Sequence, residues 1–259
     1  MQWEELTESD FRQAARDTGL CIVPIGSLEY HGQHLPLGTD AMNCHAIACL
    51  AAQREPAVVF PPYFYGQVNC ARHYAGAVAV RPALHSELLA AVCDEIGRNG
   101  FRKILLHNGH GGNGHWLRYF VQCALYERKP YNLYLTDWLA RPEVKKQVRE
   151  ICPPGGHADE EETSICLALR PDLVKMERAE AGPPLGRIKG LGAYAATWWY
   201  ADYPNHVAGD GRPATAETGK KLLEIYVGAL ADVIQRVKAD QIVPGMEDEF
   251  FNREKGIRP

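Results

Sequence analysis

Short, nearly continuous apolar runs alternate along the chain with longer stretches in which apolar residues recur every three or four positions. The runs are "LCIVPIG" (20–26), "AVVF" (57–60), "AGAVAV" (75–80), "KILLH" (103–107) and "YNLYLTDW" (131–138), each read as a strand. The periodic stretches predict helices. One begins at a cap on Thr39 or Asp40 and runs to about Gln53, with Met42, Ala46, Ile47 and Leu50 on one face. Others are "LHSELLAAVCDEIGRNG", closed by Gly100, then "GHWLRYFVQCALYER", the segment Glu160–Leu169, and a long final helix over "TAETGKKLLEIYVGALADVIQRVKAD". Strands alternating with helices predict an α/β fold, a three-layer αβα sandwich with a mainly parallel sheet.

Composition narrows the class. A chain of 259 residues with 46% apolar and 23% charged residues suits one globular domain over 1–259, and no repeat or polar linker divides it. The formal net charge of -4 gives no electrostatic reason to bind nucleic acid or an anionic membrane. No apolar run approaches the roughly 18 residues of a membrane span. The opening "MQWEELTESD" lacks the basic and apolar regions of a signal peptide. Eight cysteines are scattered without a C-x-x-C, so buried free thiols are expected rather than a disulfide framework. These features together predict a cytoplasmic protein.

In parallel sheets, ligands gather outside the carboxyl ends of the strands, and the polar clusters fall there. "IGSLEYHGQHLPLGTDAM" follows the first strand. Alternate side chains of an extended segment point the same way, so Glu29 and His31 can face one point. Asp40, at a helix start, either caps that helix or binds a cation. The bland alternative is a capping aspartate with His31 and His34 as loop residues. "HNGHGGNGH" (107–115) joins strand to helix without a P-loop or G-x-G-x-x-G pattern, so nucleotide binding is disfavoured. Its glycines instead let the backbone pass close to an ion, with His110 projecting into it and His107 and His115 structural. "GGHADEEETS" (155–164) places His157 before four consecutive acids. The helix dipole accounts for some of them, but one face of the turn must point inward, where a carboxylate needs a cation.

"GSLEYHGQHLPLGTD", "NGHGGN" and "GGHADEEETS", with "HVAGDGRPATAETG" (206–219) as a weaker fourth match, resemble the creatininase family of metal-dependent amidohydrolases. The resemblance implies that fold, a homo-oligomer (a hexamer), and two divalent ions, Zn and/or Mn with Fe as a third option. It implies Glu29, His31, Asp40 and His110 as metal ligands, Asp40 bridging. The enzyme that names the family takes its last ligand two residues after the His110 position, where this chain has Gly112. The resemblance therefore points to Glu162 as the fifth ligand, to His157 as the catalytic histidine, and to Glu160 as its partner.

The chemistry suits these residue types. Two divalent ions roughly 3.5–4 Å apart lower the pKa of a shared water and hold it as hydroxide. They also stabilise the oxyanion of a tetrahedral intermediate, and a histidine supplies the leaving nitrogen with a proton. Hydrolysis of a small cyclic amide or another C–N amide bond is expected. Gly111 and Pro153 replace a tyrosine and a tryptophan of the naming enzyme, which argues against creatinine itself. The alternatives are hydrolytic ring opening of a cyclic polyol ketone and a non-catalytic metal-binding scaffold. "TWWY" (197–200) and His73 either reach the substrate or belong to the core or a subunit contact.

Overall fold

The computed structural model describes residues 1–137, 141–153 and 156–257. Trp138, the last residue of the fifth apolar run, and Gly155 of the third motif lie outside the described residues. The central sheet has four parallel strands, β1 (Leu20–Ile25), β2 (Val58–Val59), β3 (Lys103–Asn108) and β4 (Asn132–Asp137), in the order β2-β1-β3-β4. Helices cover both faces, as a sheet of buried parallel strands requires.

Side chains alternate across β1 and β3, and each face builds its own core. Leu20, Ile22 and Leu105 face α2 (Thr39–Arg54), α5 (Pro142–Arg149), α6 (Glu160–Leu169) and α8 (Ala216–Ala239), whose Ile47, Val144, Ile165 and Leu222 are buried with them. Cys21, Val23, Ile104 and Leu106 face α1 (Glu8–Thr18), α3 (Pro82–Arg98) and α4 (Gly114–Gln122), which contribute Ala14, Leu89, Cys93 and Leu117. The αβα expectation therefore holds. All eight cysteines are free thiols.

Four local expectations are corrected. "AGAVAV" forms no strand; residues 77–80 run irregularly past the motif loop, where Val78 N donates to Leu28 O at 3.1 Å. Neither Thr39 nor Asp40 caps α2, since Gly38 is the N-cap and makes no side-chain cap bond. Thr39 Oγ1 turns back to Pro36 O at 2.7 Å, which frees Asp40 for the interior. "AVVF" is reduced to Val58–Val59 at the sheet edge. The helix α9 (Ile242–Lys255) follows α8, so α8 is not the final one. A two-stranded antiparallel pair, β5 (Ala181–Gly182) with β6 (Gly209–Asp210), and the short helix α7 (Trp198–Asp202) lie near the carboxyl edge.

Gly26, which ends the first apolar run, allows α2 to begin against the strand end. A Cβ there would lie 2.2 Å from Ala41 N. That contact brings the first turn of α2, with Asp40, beside the residues that leave β1.

Candidate active site

Three loops and two helix starts meet at the carboxyl edge of β1 and β3. The segment after β1 brings Glu29 and His31, the start of α2 brings Asp40, and the loop after β3 brings His110; all four are buried. Asp40 lies between the two histidines. Its Oδ1 accepts from His31 Nε2 at 2.8 Å, and its Oδ2 lies 2.8 Å from His110 Nδ1. Glu29 Oε2 is 3.1 Å from the same His110 nitrogen, and Ser27 Oγ donates to Asp40 Oδ2 at 2.7 Å.

The outer nitrogens of these rings are tied to the main chain. His31 Nδ1 donates to Glu29 O at 3.1 Å, and His110 Nε2 donates to Gln67 O at 2.7 Å. A carbonyl can only accept, so the protons on those nitrogens are fixed, and the inner nitrogens turn toward the carboxylates. Ligand histidines are oriented this way around metals. The motif "NGHGGN" supports the arrangement. Asn108 Oδ1 accepts from His110 N and from Asn113 Nδ2, each at 3.1 Å, while Asn113 Oδ1 accepts from Gln67 N at 2.8 Å.

The charges answer to one another. Burial alone would raise Asp40, but His31 and His110 overcome it and hold the carboxyl well below its usual range. Burial likewise opposes the charge on Glu29, and His110 and His157 hold it low. Burial works against His110 as well, yet Glu29 and Asp40 push it up to about 10; His31 is raised by Asp40 in the same way. Without metal, protons on two imidazoles neutralise two buried carboxylates. Those protons stand where a cation would bind, so the donor set fits a divalent ion. Glu29, His31 and Asp40 can each offer a ligand atom within 4.8 Å of the others.

The acid run after His157 divides by direction. Asp159 caps α6 by accepting from Glu162 N at 3.0 Å. Glu161 meets Tyr226, and burial pushes its carboxyl up to about 7. Glu162 turns toward the cluster, its Oε2 3.9 Å from His31 Nε2 and accepting from Ala158 N at 2.6 Å. Burial raises it well above its usual value, with His157 opposing and Asp159 and Asp40 adding. Glu160 opens α6, and no hydrogen bond or ion pair joins it to His157 among the described residues. The ring is held instead by the His206 carbonyl, which accepts from Nδ1 at 2.7 Å. His157 Nε2 therefore points at the cluster, 3.5 Å from Glu29 Oε2 and without a hydrogen bond. The ring stacks on His31 at 4.2 Å.

Other candidates separate. His34 is a buried structural residue bonded to Thr163 Oγ1 at 2.9 Å. His107 is buried in β3, and His115 is exposed. His73 lies exposed at the rim, edge-on to Tyr200 at 5.2 Å. Trp199 alone of the "TWWY" pair reaches inward, its ring 5.9 Å from His157, while Trp198 is exposed. His206 was not singled out from sequence, although it opens the fourth motif. It is 1% exposed and bonds Glu29 Oε1 through Nε2 at 2.8 Å.

Buried carboxylates and imidazoles on the carboxyl edge of an α/β sheet make a candidate metal site. The comparison with known proteins gives the family. The creatininase model, described as creatinine amidohydrolase, matches residues 4–234, and the chain belongs to that family. It is 28% identical over 252 residues to creatinine amidohydrolase of Pseudomonas putida, covering 89% of this chain and 95% of that protein. It is 29% identical to the mycofactocin precursor peptide peptidase of Mycolicibacterium smegmatis (91% and 92% covered). Identity to the 3-dehydro-scyllo-inosose hydrolase of Thermotoga maritima is 27% (93% and 86% covered). A solved creatininase variant complexed with creatine superposes with a TM-score of 0.78 at 25% identity, covering 92% of this chain and 99% of that one.

Proposed function

We propose that this chain is a two-metal amidohydrolase that cleaves the C–N bond of a cyclic amide or of a peptide-like amide. The observation that carries the reading is Asp40, whose two oxygens each face a different imidazole at 2.8 Å. On this reading Asp40 would be shared by both ions, Glu29 and His110 would help hold one, and His31 and Glu162 would help hold the other. Creatininase has been solved with two zinc ions and with manganese, so these are the ions to try first. When bound, such ions would supply Lewis acidity and an activated water.

The chain's own residues supply the rest. His157 donates Nδ1–H to His206 O, which leaves the Nε2 lone pair facing the cluster, able to take a proton and return it to a leaving nitrogen. Glu29 Oε2 lies 3.5 Å from that nitrogen. Gly111 and Pro153 stand where the naming enzyme has a tyrosine and a tryptophan, which argues against creatinine as the substrate. The similarity to the Thermotoga hydrolase supports a second reading, ring opening of a cyclic polyol ketone on the same residues.

The test is metal analysis of protein loaded with zinc or manganese, followed by a screen of cyclic amides, short peptides and cyclic polyol ketones. Two ions per chain with amine release supports the proposal. C–C cleavage alone moves the protein to the second reading. Two bound ions with no turnover on any class leaves a scaffold and overturns both.

A further inference from the structure

His206 differs from every other imidazole around the cluster. His31, His110 and His157 each donate an outer N–H to a main-chain carbonyl, leaving the inner nitrogen free to take an ion or a proton. The outer nitrogen of His206 instead accepts: the indole Nε1–H of Trp199 donates to Nδ1 at 3.1 Å. An indole N–H can only donate, so a neutral His206 must carry its proton on Nε2. That nitrogen lies 2.8 Å from Glu29 Oε1, and it donates there.

The placement requires an unfavourable backbone. His206 adopts φ 60°, a left-handed conformation that residues with a Cβ seldom take. Its N–H closes a turn on Tyr203 O at 2.9 Å, and Tyr74 Oη donates to the neighbouring Pro204 O at 2.8 Å. This turn aims the ring inward and its own carbonyl at His157.

We propose that His206, locked in one tautomer by Trp199, is a positioning residue that holds Glu29 Oε1 and thereby presents Oε2 alone to the metal site. The inference rests on the reading of Glu29 as a ligand. It also decides a question the geometry raises. Glu29, His157 and His206 can each offer a ligand atom within 4.8 Å of the others, which suggests a further ion position. To ligate through Nε2, His206 would have to give up that proton, and Nδ1 would then have to carry one where the indole already points its own. It therefore acts as a donor, not a ligand. Of the two Glu29 oxygens, Oε1 takes His206 and the weak Cys70 Sγ donor at 4.0 Å, while Oε2 meets His110 at 3.1 Å.

The experiment uses the full chain with His206→Ala, His206→Gln and Glu29→Gln. Zinc affinity is measured by chelator competition, and histidine tautomers of the metal-free protein by long-range 1H–15N correlation. His206→Ala should bind zinc about 10–100-fold more weakly, the usual cost of removing a group that orients a ligand. His206→Gln, whose amide N–H can still reach Glu29, should recover most of that loss. A wild-type His206 protonated on Nδ1 overturns the inference, and that outcome holds even if His206→Ala fails to fold. Equal weakening by Ala and Gln reduces His206 to packing and overturns it too. Glu29→Gln separates the layers. If it binds zinc at wild-type affinity, the ligand reading itself fails; if it is impaired while His206→Ala is not, this inference fails alone.

Discussion

Asp40→Asn tests the centre of the site, because the change keeps the shape and removes one charge. In the metal-free chain, His110 is pushed from its ordinary 6.5 up to about 10, a preference for the charged ring of about 5 kcal/mol. Burial opposes that preference, so Glu29 and Asp40 together supply more than this. Their oxygens lie at similar distances from His110 Nδ1, 3.1 and 2.8 Å, and one opposite charge at such range shifts a pKa by about 1–3 units. His110 in metal-free Asp40→Asn should therefore titrate roughly two pH units lower than in the wild type. His31, whose Nε2 loses its partner at 2.8 Å, should move down with it. NMR titration of the histidines reads both.

The metal-loaded protein gives the second measurement. Removing a residue that merely orients a ligand costs about 10–100-fold in affinity, so loss of a bridging carboxylate should exceed about 100-fold at both ions. After dialysis, metal analysis should find both ions depleted together. Depletion of one alone would mean that Asp40 serves a single ion. Full occupancy of both, with His110 titrating as in the wild type, would refute the reasoning.

Metal uptake by the wild type should release protons, because His31 and His110 hold protons that the ions displace. Affinity should then climb with pH toward about 10, and a dye assay in weak buffer that detects no release would contradict it. His157→Ala should keep both ions and lose about 10²–10⁴-fold in turnover, less on a substrate whose leaving group needs no proton; loss of the metals would make it a ligand. Glu162→Gln should deplete the ion on the His31 side first, and equal depletion of both would reassign it. The metal-free fold should lose stability as pH rises above 6.5. His110, raised, contributes stability that is complete below 6.5 and lost as pH rises toward 10. His34 and His107, lowered to about 4 by burial, contribute stability present above 6.5 and lost as pH falls toward 4, at most about 3 kcal/mol each. Denaturant melts of chelator-treated protein from pH 4 to 10 would show a flat profile if this were wrong. Homo-oligomerisation, expected from Tyr194 at 80% exposed beside Leu191 and Trp198, is checked by light scattering, and a monomer at micromolar concentration would refute it.

The sheet was legible because buried parallel strands leave a strong mark. "LCIVPI" and "KILLHN" each lie fully or almost fully buried, in the register that apolar residues on both faces require. "AGAVAV" carries a similar mark without being a strand, since its apolar side chains are small and half of its backbone lies exposed beside the loop. Capping was misjudged at Thr39 and Asp40 because a local rule was applied where a tertiary demand wins. Asp40 serves two histidines from distant segments rather than the helix it begins. The ligand loops were legible as types and spacings, but His206 was not, since its role comes from a left-handed turn and an indole seven residues earlier. Glu160 looked like a partner for His157 because it is near in sequence. The carbonyl that took the role comes from His206, forty-nine residues on.

Gly112 and Glu162 are linked by the same geometry. A Cβ on residue 112 would lie 2.5 Å from His110 Nε2 and 2.7 Å from Gln67 O, between the two atoms of the bond that orients His110. With the loop in this conformation, any side chain at that position forces His110 off the Gln67 carbonyl. A carboxylate at 112 and a His110 ring held by Gln67 therefore exclude one another in this chain. On the proposed two-metal reading the remaining donor would come from another element, and the first turn of α6 carries three glutamates. Of these, Glu161 is committed to Tyr226, while Glu162, the ligand the family resemblance implies, turns toward His31 at 3.9 Å. Glu162 is also the one that burial pushes toward the neutral form when no cation is present, so its ionisation depends on binding one. On the proposed reading the donor set is kept while one donor moves from a loop to a helix start. In this chain the loop glycines "GG" and the helix run "EEE" work as one pair of features, and neither is interpretable without the other.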